Sequence, residues 1–166
     1  LVPLTLFTQL AASCAPAVHV DTLAAVARAE SGFNTLAIHL NGGGAAEPAA
    51  TREDAIGRAT ELIVVQRRSV DLGLMQVNSA NLTALGLSIA DAFDPCRSLA
   101  AGAHLLAAGY AAARASGAAD PQHALRAALS RYNTGDPARG FANGYIAKVQ
   151  AAAEQVVPAL RLGDGE

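Results

Sequence analysis

This sequence lacks both the charge blocks of a polyanion-binding protein and the long apolar run of a membrane span. It has 12 Lys and Arg against 14 Asp and Glu, a formal net charge of −2 at pH 7. Nucleic acid is therefore not an expected partner. Although 52% of residues are hydrophobic, charges interrupt them, and no run approaches the roughly 18 to 20 residues of a spanning helix. We expect one domain over residues 1–166 with no membrane span.

The sequence also lacks the spacings that mark common catalytic centres. Its four histidines stand singly, without a His-x-x-x-His or Cys-x-x-Cys pair, so no metal site is predicted. There is no Gly-x-Ser-x-Gly elbow, Walker loop or dinucleotide fingerprint. A serine or cysteine nucleophile is therefore disfavoured, and no cofactor is expected.

Cysteine is scarce, with only Cys14 and Cys96 present. The pair is compatible with one disulfide in an oxidising compartment or with two buried thiols, and spacing alone does not decide between them. Residues 1–14, LVPLTLFTQLAASC, have no initiator Met and no basic leader region. They end in AASC, which is loosely similar to a lipoprotein cleavage site. The spacing of their apolar residues instead favours the first helix of a mature chain from which a signal peptide has been removed.

Helix start and stop signals divide most of the chain into helices. Capping residues and glycines predict helices over residues 1–14, 21–31, 51–68, 79–85, 94–113 and 120–132, and a last helix that begins at Asn143 or Gly144 and ends at Pro158. We expect Val20, Asp21 or Thr22 to cap the second helix and residues 159–166 to fray. Residues 35–78 are predicted to form a small lobe that contains short strands. The fold class is thus mostly α (α+β), a helical bundle with a cleft between the lobes.

Three polar segments lie where predicted helices meet loops. Glu30 and Ser31 close the second helix, residues 73–78 read GLMQVN, and residues 130–135 read SRYNTG. Each segment taken singly is more typical of a solvated charge or a core aromatic. Together they offer side chains suited to gripping a polar chain such as a glycan.

The order and spacing of these segments resemble a known family. AESGFN, DLGLMQVN and LSRYNTG together resemble the lysozyme-like lytic transglycosylases, specifically the small periplasmic group that accompanies type IV secretion systems. FDPCRSLAAGAHLL and GFANGYIAKV resemble the connecting helices of that group, so the resemblance spans about residues 18–149. It implies a lysozyme-like fold, a periplasmic location, peptidoglycan glycan strands as substrate and components of a type IV secretion apparatus as partners.

The resemblance also implies roles for individual residues. Glu30 matches the catalytic glutamate. The positions matched to substrate binding are Ser31, Gly73, Leu74, Met75, Gln76, Asn78, Tyr132, Asn133 and Thr134. Arg131 departs from the pattern, because many relatives carry Ala there. Cys14 and Cys96 are expected to pair in this periplasmic group.

The chemistry of glycosidic cleavage fits a buried glutamate. A carboxyl delivers a proton near neutral pH when burial raises its pKa, and Leu74, Met75 and Tyr132 are predicted to supply an apolar wall. Two readings of Tyr132 stay open: a cleft residue whose hydroxyl turns towards the Glu30 carboxyl or the substrate, and a core aromatic.

Hydrolysis would need a second carboxylate about 5 to 9.5 Å away. Of the two nearby in sequence, Glu47 lies in a glycine-rich loop, and Asp71 is expected to fix a turn through backbone amides instead.

The family implies a mechanism with one carboxylate. Glu30 protonates the leaving oxygen, the substrate's N-acetyl group stabilises the positive charge, and Glu30 then removes a proton from the muramic C6 hydroxyl to give a 1,6-anhydro product. Two alternatives stay open: a plain lysozyme-type hydrolase, and a glycan-binding assembly component with little turnover. For a structural or lysozyme-inhibiting domain the sequence gives no positive sign.

Overall fold

Eight α-helices and a three-stranded sheet make up the described part of the chain. The computed structural model describes residues 1–44 and 46–163. The helices are α1 Leu4–Cys14, α2 Val20–Ser31, α3 Arg52–Thr60, α4 Ile89–Ala92, α5 Pro95–Ala115, α6 Pro121–Thr134, α7 Arg139–Ala142 and α8 Tyr145–Gly163. A π-helical turn, Glu61–Val65, extends α3. The mostly helical class with a small strand-containing lobe is confirmed.

The small lobe contains an antiparallel sheet in the order β1-β2-β3. Its strands are β1 Ile38–Leu40, β2 Val70–Leu72 and β3 Val77–Asn78. Leu72 pairs with Ile38 on one side and with Val77 on the other. β2 and β3 therefore form a hairpin whose loop is residues 73–76, the predicted GLMQ segment.

Helix starts follow the predicted capping signals with one exception. The side chains of Thr51, Asp94 and Asp120 accept hydrogen bonds from the first turns of α3, α5 and α6, as these residues prefer to do. α2 differs, because His19 Nδ1 accepts from the backbone N–H of Asp21 at 3.2 Å. The predicted cap within residues 20–22 is therefore wrong by one position.

Two predicted boundaries are also wrong. Residues 79–85 form no α-helix: only a 3₁₀ turn, Ser79–Asn81, is present, and the Asn78 side chain caps it. α8 continues past Pro158 to Gly163. Val156 and Leu160 are buried there, and this burial offsets the hydrogen bond that a proline removes from a helix. The predicted fraying is thus wrong for residues 159–163, and residues 164–166 lie outside the described part.

The core forms around α2, which packs along α8. Leu23, Val26 and Ala27 of α2 are fully buried, and its small alanines allow neighbouring helices to approach closely. Phe7 of α1 meets Phe33 edge-to-face, with ring centroids 5.2 Å apart, a favourable aromatic geometry.

The predicted disulfide is present, and it ties the first helix to the longest one. Cys14 at the end of α1 is bonded to Cys96 in the first turn of α5, with Cα atoms 5.4 Å apart. Of the helices within residues 1–44 and 46–163, none is long and apolar enough to cross a membrane.

Candidate active site

An open cleft of about 260 Å³ lies between the β2–β3 hairpin and the end of α6, with Glu30 in its wall. Its lining residues are mostly polar. They are Glu30, Asn41, Asp71, Gln76, Val77, Asn78, Asn81, Leu105, Arg131, Tyr132, Asn133, Thr134 and Gly135. The structure therefore brings the three polar segments of the sequence to one cleft.

Glu30 lies in the last turn of α2, which ends at Gly32 in the left-handed conformation, with φ 59°. The side chain is half-buried, and its Oε1 accepts a hydrogen bond from the Tyr145 hydroxyl at 2.5 Å. Burial raises the pKa of Glu30 above its ordinary value, and the nearby Asp71 charge raises it further. The Tyr145 hydrogen bond and the Lys148 charge lower this pKa, but burial has the largest effect and the pKa stays raised. A glutamate held in this way retains its proton to higher pH than a solvated one.

Tyr145 contacts Glu30 but was not predicted from the sequence as a site residue, and the same is true of the cleft-lining residues Asn41, Asn81 and Leu105. Tyr145 is the first residue of α8 and is buried, and burial together with the neighbouring Glu30 charge raises its pKa well above that of a free phenol. The hydroxyl therefore keeps its proton and can donate it in a hydrogen bond to Glu30. The available signal is the segment GFANGYIAKV, which resembles a connecting helix, because from that helix Tyr145 donates to Glu30 and the charge of Lys148 lowers the pKa of Glu30.

The hairpin loop, residues 73–76, is a buried structural element. Gly73 has φ 74°, and a Cβ built there would lie 2.0 Å from the Ala92 carbonyl oxygen, so only glycine fits. Leu74 and Met75 are 1% and 0% exposed, and the Met75 N–H donates to Ser98 Oγ at 3.1 Å. The loop is thereby fixed against α5.

Four of the predicted substrate-binding residues do not reach the cleft surface. Ser31 Oγ donates to the Leu74 carbonyl at 2.7 Å, which joins the end of α2 to the loop. Gly73, Leu74 and Met75 lie behind the cleft wall and are absent from its lining. In this structure Ser31, Gly73, Leu74 and Met75 therefore support the cleft wall from behind, and their predicted contact with substrate stays a prediction.

Gln76 and Asn78 do line the cleft. Gln76, with φ 50°, donates from Nε2 to the carbonyls of Ala37 and Gly73 at 3.1 and 3.0 Å. This arrangement holds its amide in place beside the cleft. Asn78 Nδ2 donates to Asp71 Oδ1 at 2.7 Å, so the two side chains are held together across the β2–β3 pair.

Asp71 occupies a different place from the one predicted. It lies on strand β2 and not in a turn, and its carboxylate faces the cleft that contains Glu30. Glu47, the other carboxylate considered, is exposed and does not line the cleft. The second acidic side chain of the site is therefore Asp71.

Tyr132 is in the cleft wall, but its hydroxyl is directed elsewhere than predicted. The hydroxyl donates to the Met75 carbonyl at 2.5 Å, which links α6 to the hairpin loop. Burial raises the pKa of Tyr132, and the neighbouring Glu30 charge adds to the effect. The prediction that this hydroxyl turns to the Glu30 carboxyl is wrong, and Tyr145 occupies that position.

Asn133 and Thr134 complete the α6 wall. Asn133 Oδ1 accepts from Asn143 Nδ2 at 2.8 Å, and Asn133 is exposed to the cleft. The Thr134 hydroxyl contacts the carbonyls of Ser130 and Asp136 at 2.8 and 3.0 Å. Thr134 therefore stabilises the end of the helix. Across residues 1–44 and 46–163, no three His, Cys, Asp or Glu side chains lie close enough together to hold a metal ion.

Comparisons with known proteins agree with this geometry. Residues 8–155 match the family described as the transglycosylase SLT domain. Protein virB1 of Agrobacterium fabrum is 46% identical over 157 residues, which cover 93% of this chain and 62% of that protein. Type IV secretion system protein virB1 of Brucella suis biovar 1 is 37% identical over 166 residues, covering 93% of this chain and 69% of that protein.

The chain thus spans less than two thirds of the length of the Agrobacterium relative. No solved structure matches it. The family match nevertheless extends over most of the chain, including all three polar segments, and confirms the resemblance seen in the sequence. This chain belongs to the transglycosylase SLT domain family.

Proposed function

We propose that this chain is a peptidoglycan lytic transglycosylase with Glu30 as its acid and base. It cleaves the β-1,4 bond between N-acetylmuramic acid and N-acetylglucosamine and leaves 1,6-anhydromuramic ends. The observation that carries the proposal is the half-buried Glu30 carboxyl in the cleft, with its raised pKa and its hydrogen bond from Tyr145.

In the first step Glu30 donates its proton to the glycosidic oxygen, and the bond to the anomeric carbon breaks. Burial favours the protonated acid beforehand, and the Tyr145 hydroxyl stabilises the carboxylate as it forms. The substrate's own N-acetyl group stabilises the positive charge at the anomeric carbon. Glu30 then takes the proton of the C6 hydroxyl, whose oxygen closes the anhydro ring.

The cleft's polar side chains are suited to holding a glycan strand. Gln76 and Asn133 are fixed by hydrogen bonds on opposite walls, and amides bind sugar hydroxyls and N-acetyl groups. We assign substrate binding to Gln76, Asn78, Tyr132 and Asn133, and positioning to Ser31, Thr134 and loop residues 73–75.

The named relatives extend the proposal to a biological setting. Because the Brucella relative is named a type IV secretion system protein, we propose that this chain opens the cell wall locally in the periplasm for such an apparatus. Its partners would be glycan strands and components of that apparatus. We also propose that residues 1–166 are one domain, since one continuous core joins the helices and the small lobe.

Asp71 favours a second candidate, a lysozyme-type hydrolase. Its carboxylate shares the cleft with Glu30 and contributes to raising the pKa of Glu30. Hydrolysis with two carboxylates needs such a pair. In that case Asp71 would stabilise or attack the anomeric carbon, and water would complete the reaction.

Product analysis in heavy-oxygen water separates these two reactions. Purified peptidoglycan is digested, and the released fragments are measured by mass spectrometry. Transglycosylation predicts anhydro ends, lighter by one water than reducing ends and without solvent oxygen. Reducing ends that carry the heavy oxygen would contradict the proposal and support the hydrolase, and an Asp71→Asn variant should then lose activity. Absence of any product would leave the binding component as the better account.

A further inference from the structure

Arg131 places a positive charge in the cleft wall and forms no ion pair with a carboxylate of the described residues. It lies on α6 beside Tyr132 and is half-buried. Its Nε is buried and has no hydrogen-bond acceptor in the described part of the chain. Every ion pair found among the described residues involves other cations.

Asp136, whose pKa the Arg131 charge helps to lower, and the two carboxylates of the cleft accept their hydrogen bonds from groups other than Arg131. Asp136 Oδ1 accepts from the backbone N–H groups of Ala138 and Arg139 at 2.8 and 3.0 Å. Asp71 accepts from Asn78, and Glu30 accepts from Tyr145. The guanidinium is therefore left with donors to offer to a ligand.

The position of Arg131 makes the cleft electrically asymmetric. Glu30 and Asp71 place carboxylates on the α2 and β2 side, whereas Arg131 places a cation on the α6 side. Arg131 also lines a second cavity of about 420 Å³, which residues 116–120 border as well. Arg131 is thus shared between the cleft and this second cavity, which could receive a substituent of a bound glycan.

A glycan of N-acetylglucosamine alone is neutral, whereas each muramoyl residue carries a lactyl arm that ends in a carboxylate or in an acidic stem peptide. Guanidinium groups bind carboxylates with paired, charge-assisted hydrogen bonds. We propose that Arg131 is a specificity-determining residue that binds a carboxylate on this lactyl arm and so selects anionic over neutral glycans. The inference rests on the proposed function, because it names the substrate group read by the same cleft.

The test measures binding, so that it does not depend on turnover. In a Glu30→Gln background, affinity is measured for three ligands: strands with stem peptides, strands stripped to free lactyl carboxylates, and stripped strands whose carboxylates have been converted to amides. Arg131→Gln is compared with Arg131→Lys and with Arg126→Gln. Arg126 is an exposed residue of the same helix outside the cleft, and thermal unfolding checks that each variant is folded.

Arg131→Gln should weaken binding of carboxylate-bearing strands by about 3- to 10-fold, the scale of a partly exposed charged hydrogen bond, and leave binding of amidated strands unchanged. Arg131→Lys should keep part of the preference, and Arg126→Gln should keep all of it. A loss for the stripped strands alone assigns the free lactyl carboxylate, a loss for peptide-bearing strands alone assigns a carboxylate of the stem peptide, and a loss for both means that Arg131 binds whichever carboxylate the arm carries.

An equal loss for all three ligands, or no loss, would overturn the inference. Wild-type turnover on intact peptidoglycan is measured separately. A retained carboxylate preference without turnover would overturn the proposed function and leave the role of Arg131 standing, whereas failure of the parent protein to bind any strand would overturn both.

Discussion

Replacing Tyr145 by Phe removes one hydroxyl from the site and keeps the buried ring. That hydroxyl donates to Glu30 Oε1 at 2.5 Å, and the ring itself is almost fully buried. The change therefore leaves the packing of α8 against α2 intact. It removes the group that stabilises the Glu30 carboxylate when the acid has given up its proton.

The size of the effect follows from the charge on the acceptor. A hydrogen bond to a charged group contributes about 1.5 to 3 kcal/mol. A change of about 1.36 kcal/mol in the activation free energy changes a rate tenfold. If the bond is strongest once Glu30 is ionised, turnover should fall by roughly 10- to 100-fold. Since the Tyr145 bond lowers the pKa of Glu30, its loss should also shift the alkaline limb of the rate profile to higher pH.

The assay is the release of soluble fragments from peptidoglycan across a pH series, with Tyr132→Phe as the matched control. The Tyr132 hydroxyl donates to the Met75 carbonyl, so its loss should lower stability by about 1 kcal/mol and leave the alkaline limb in place. Wild-type turnover and an unmoved limb in Tyr145→Phe would refute the role given to this hydroxyl. A shifted limb in Tyr132→Phe would return that role to Tyr132.

Three further outcomes are expected. Denatured, unreduced protein should show no free thiol, and two titratable thiols would contradict the disulfide. Replacing Cys14 and Cys96 by Ser should lower the free energy of unfolding by about 4 kcal/mol, because the disulfide closes a loop with a sequence separation of 82. Gly73→Ala should cost about 3 kcal/mol or more in a denaturant titration, because its Cβ would meet the Ala92 carbonyl, and a neutral effect would contradict the fixed loop. Because folding raises the pKa of Glu30, the stability it contributes is present at low pH and is lost as the pH rises through the folded pKa. Glu30→Gln should therefore melt higher than wild type near about pH 8 and equally below about pH 4, and a lower melting point at the higher pH would contradict the sign.

Helix starts could be predicted from the sequence because each depends on only a few neighbouring residues. Thr51, Asp94 and Asp120 cap helices in the structure as their sequence context predicts, because a capping oxygen needs only the next three residues. The end of α8 could not be predicted in this way. Pro158 is a stop signal in isolation, and only the burial of Leu160 in the folded core keeps the helix going.

The site residues also differ in whether neighbouring residues or distant contacts place them. Glu30 and the hairpin loop stand out in short motifs, because each motif folds into one turn. Tyr145 does not, since its partner is 115 residues away in sequence and only the packing of α2 along α8 brings them together. Tyr132 was identified as part of the cleft, but whether its hydroxyl contacts Glu30 or Met75 depends on distances of a few ångströms that no motif encodes.

The central claim is that the Glu30 carboxyl transfers the protons of the reaction, and one substitution tests it most directly. Glu30→Gln keeps the size and polarity of the side chain and removes the transferable proton. The rate of release of anhydro ends from purified peptidoglycan should fall by at least about 100-fold, the scale of a general acid and base contribution, in protein that remains folded by thermal unfolding. A folded Glu30→Gln protein that releases anhydro ends at a rate close to wild type would contradict the account.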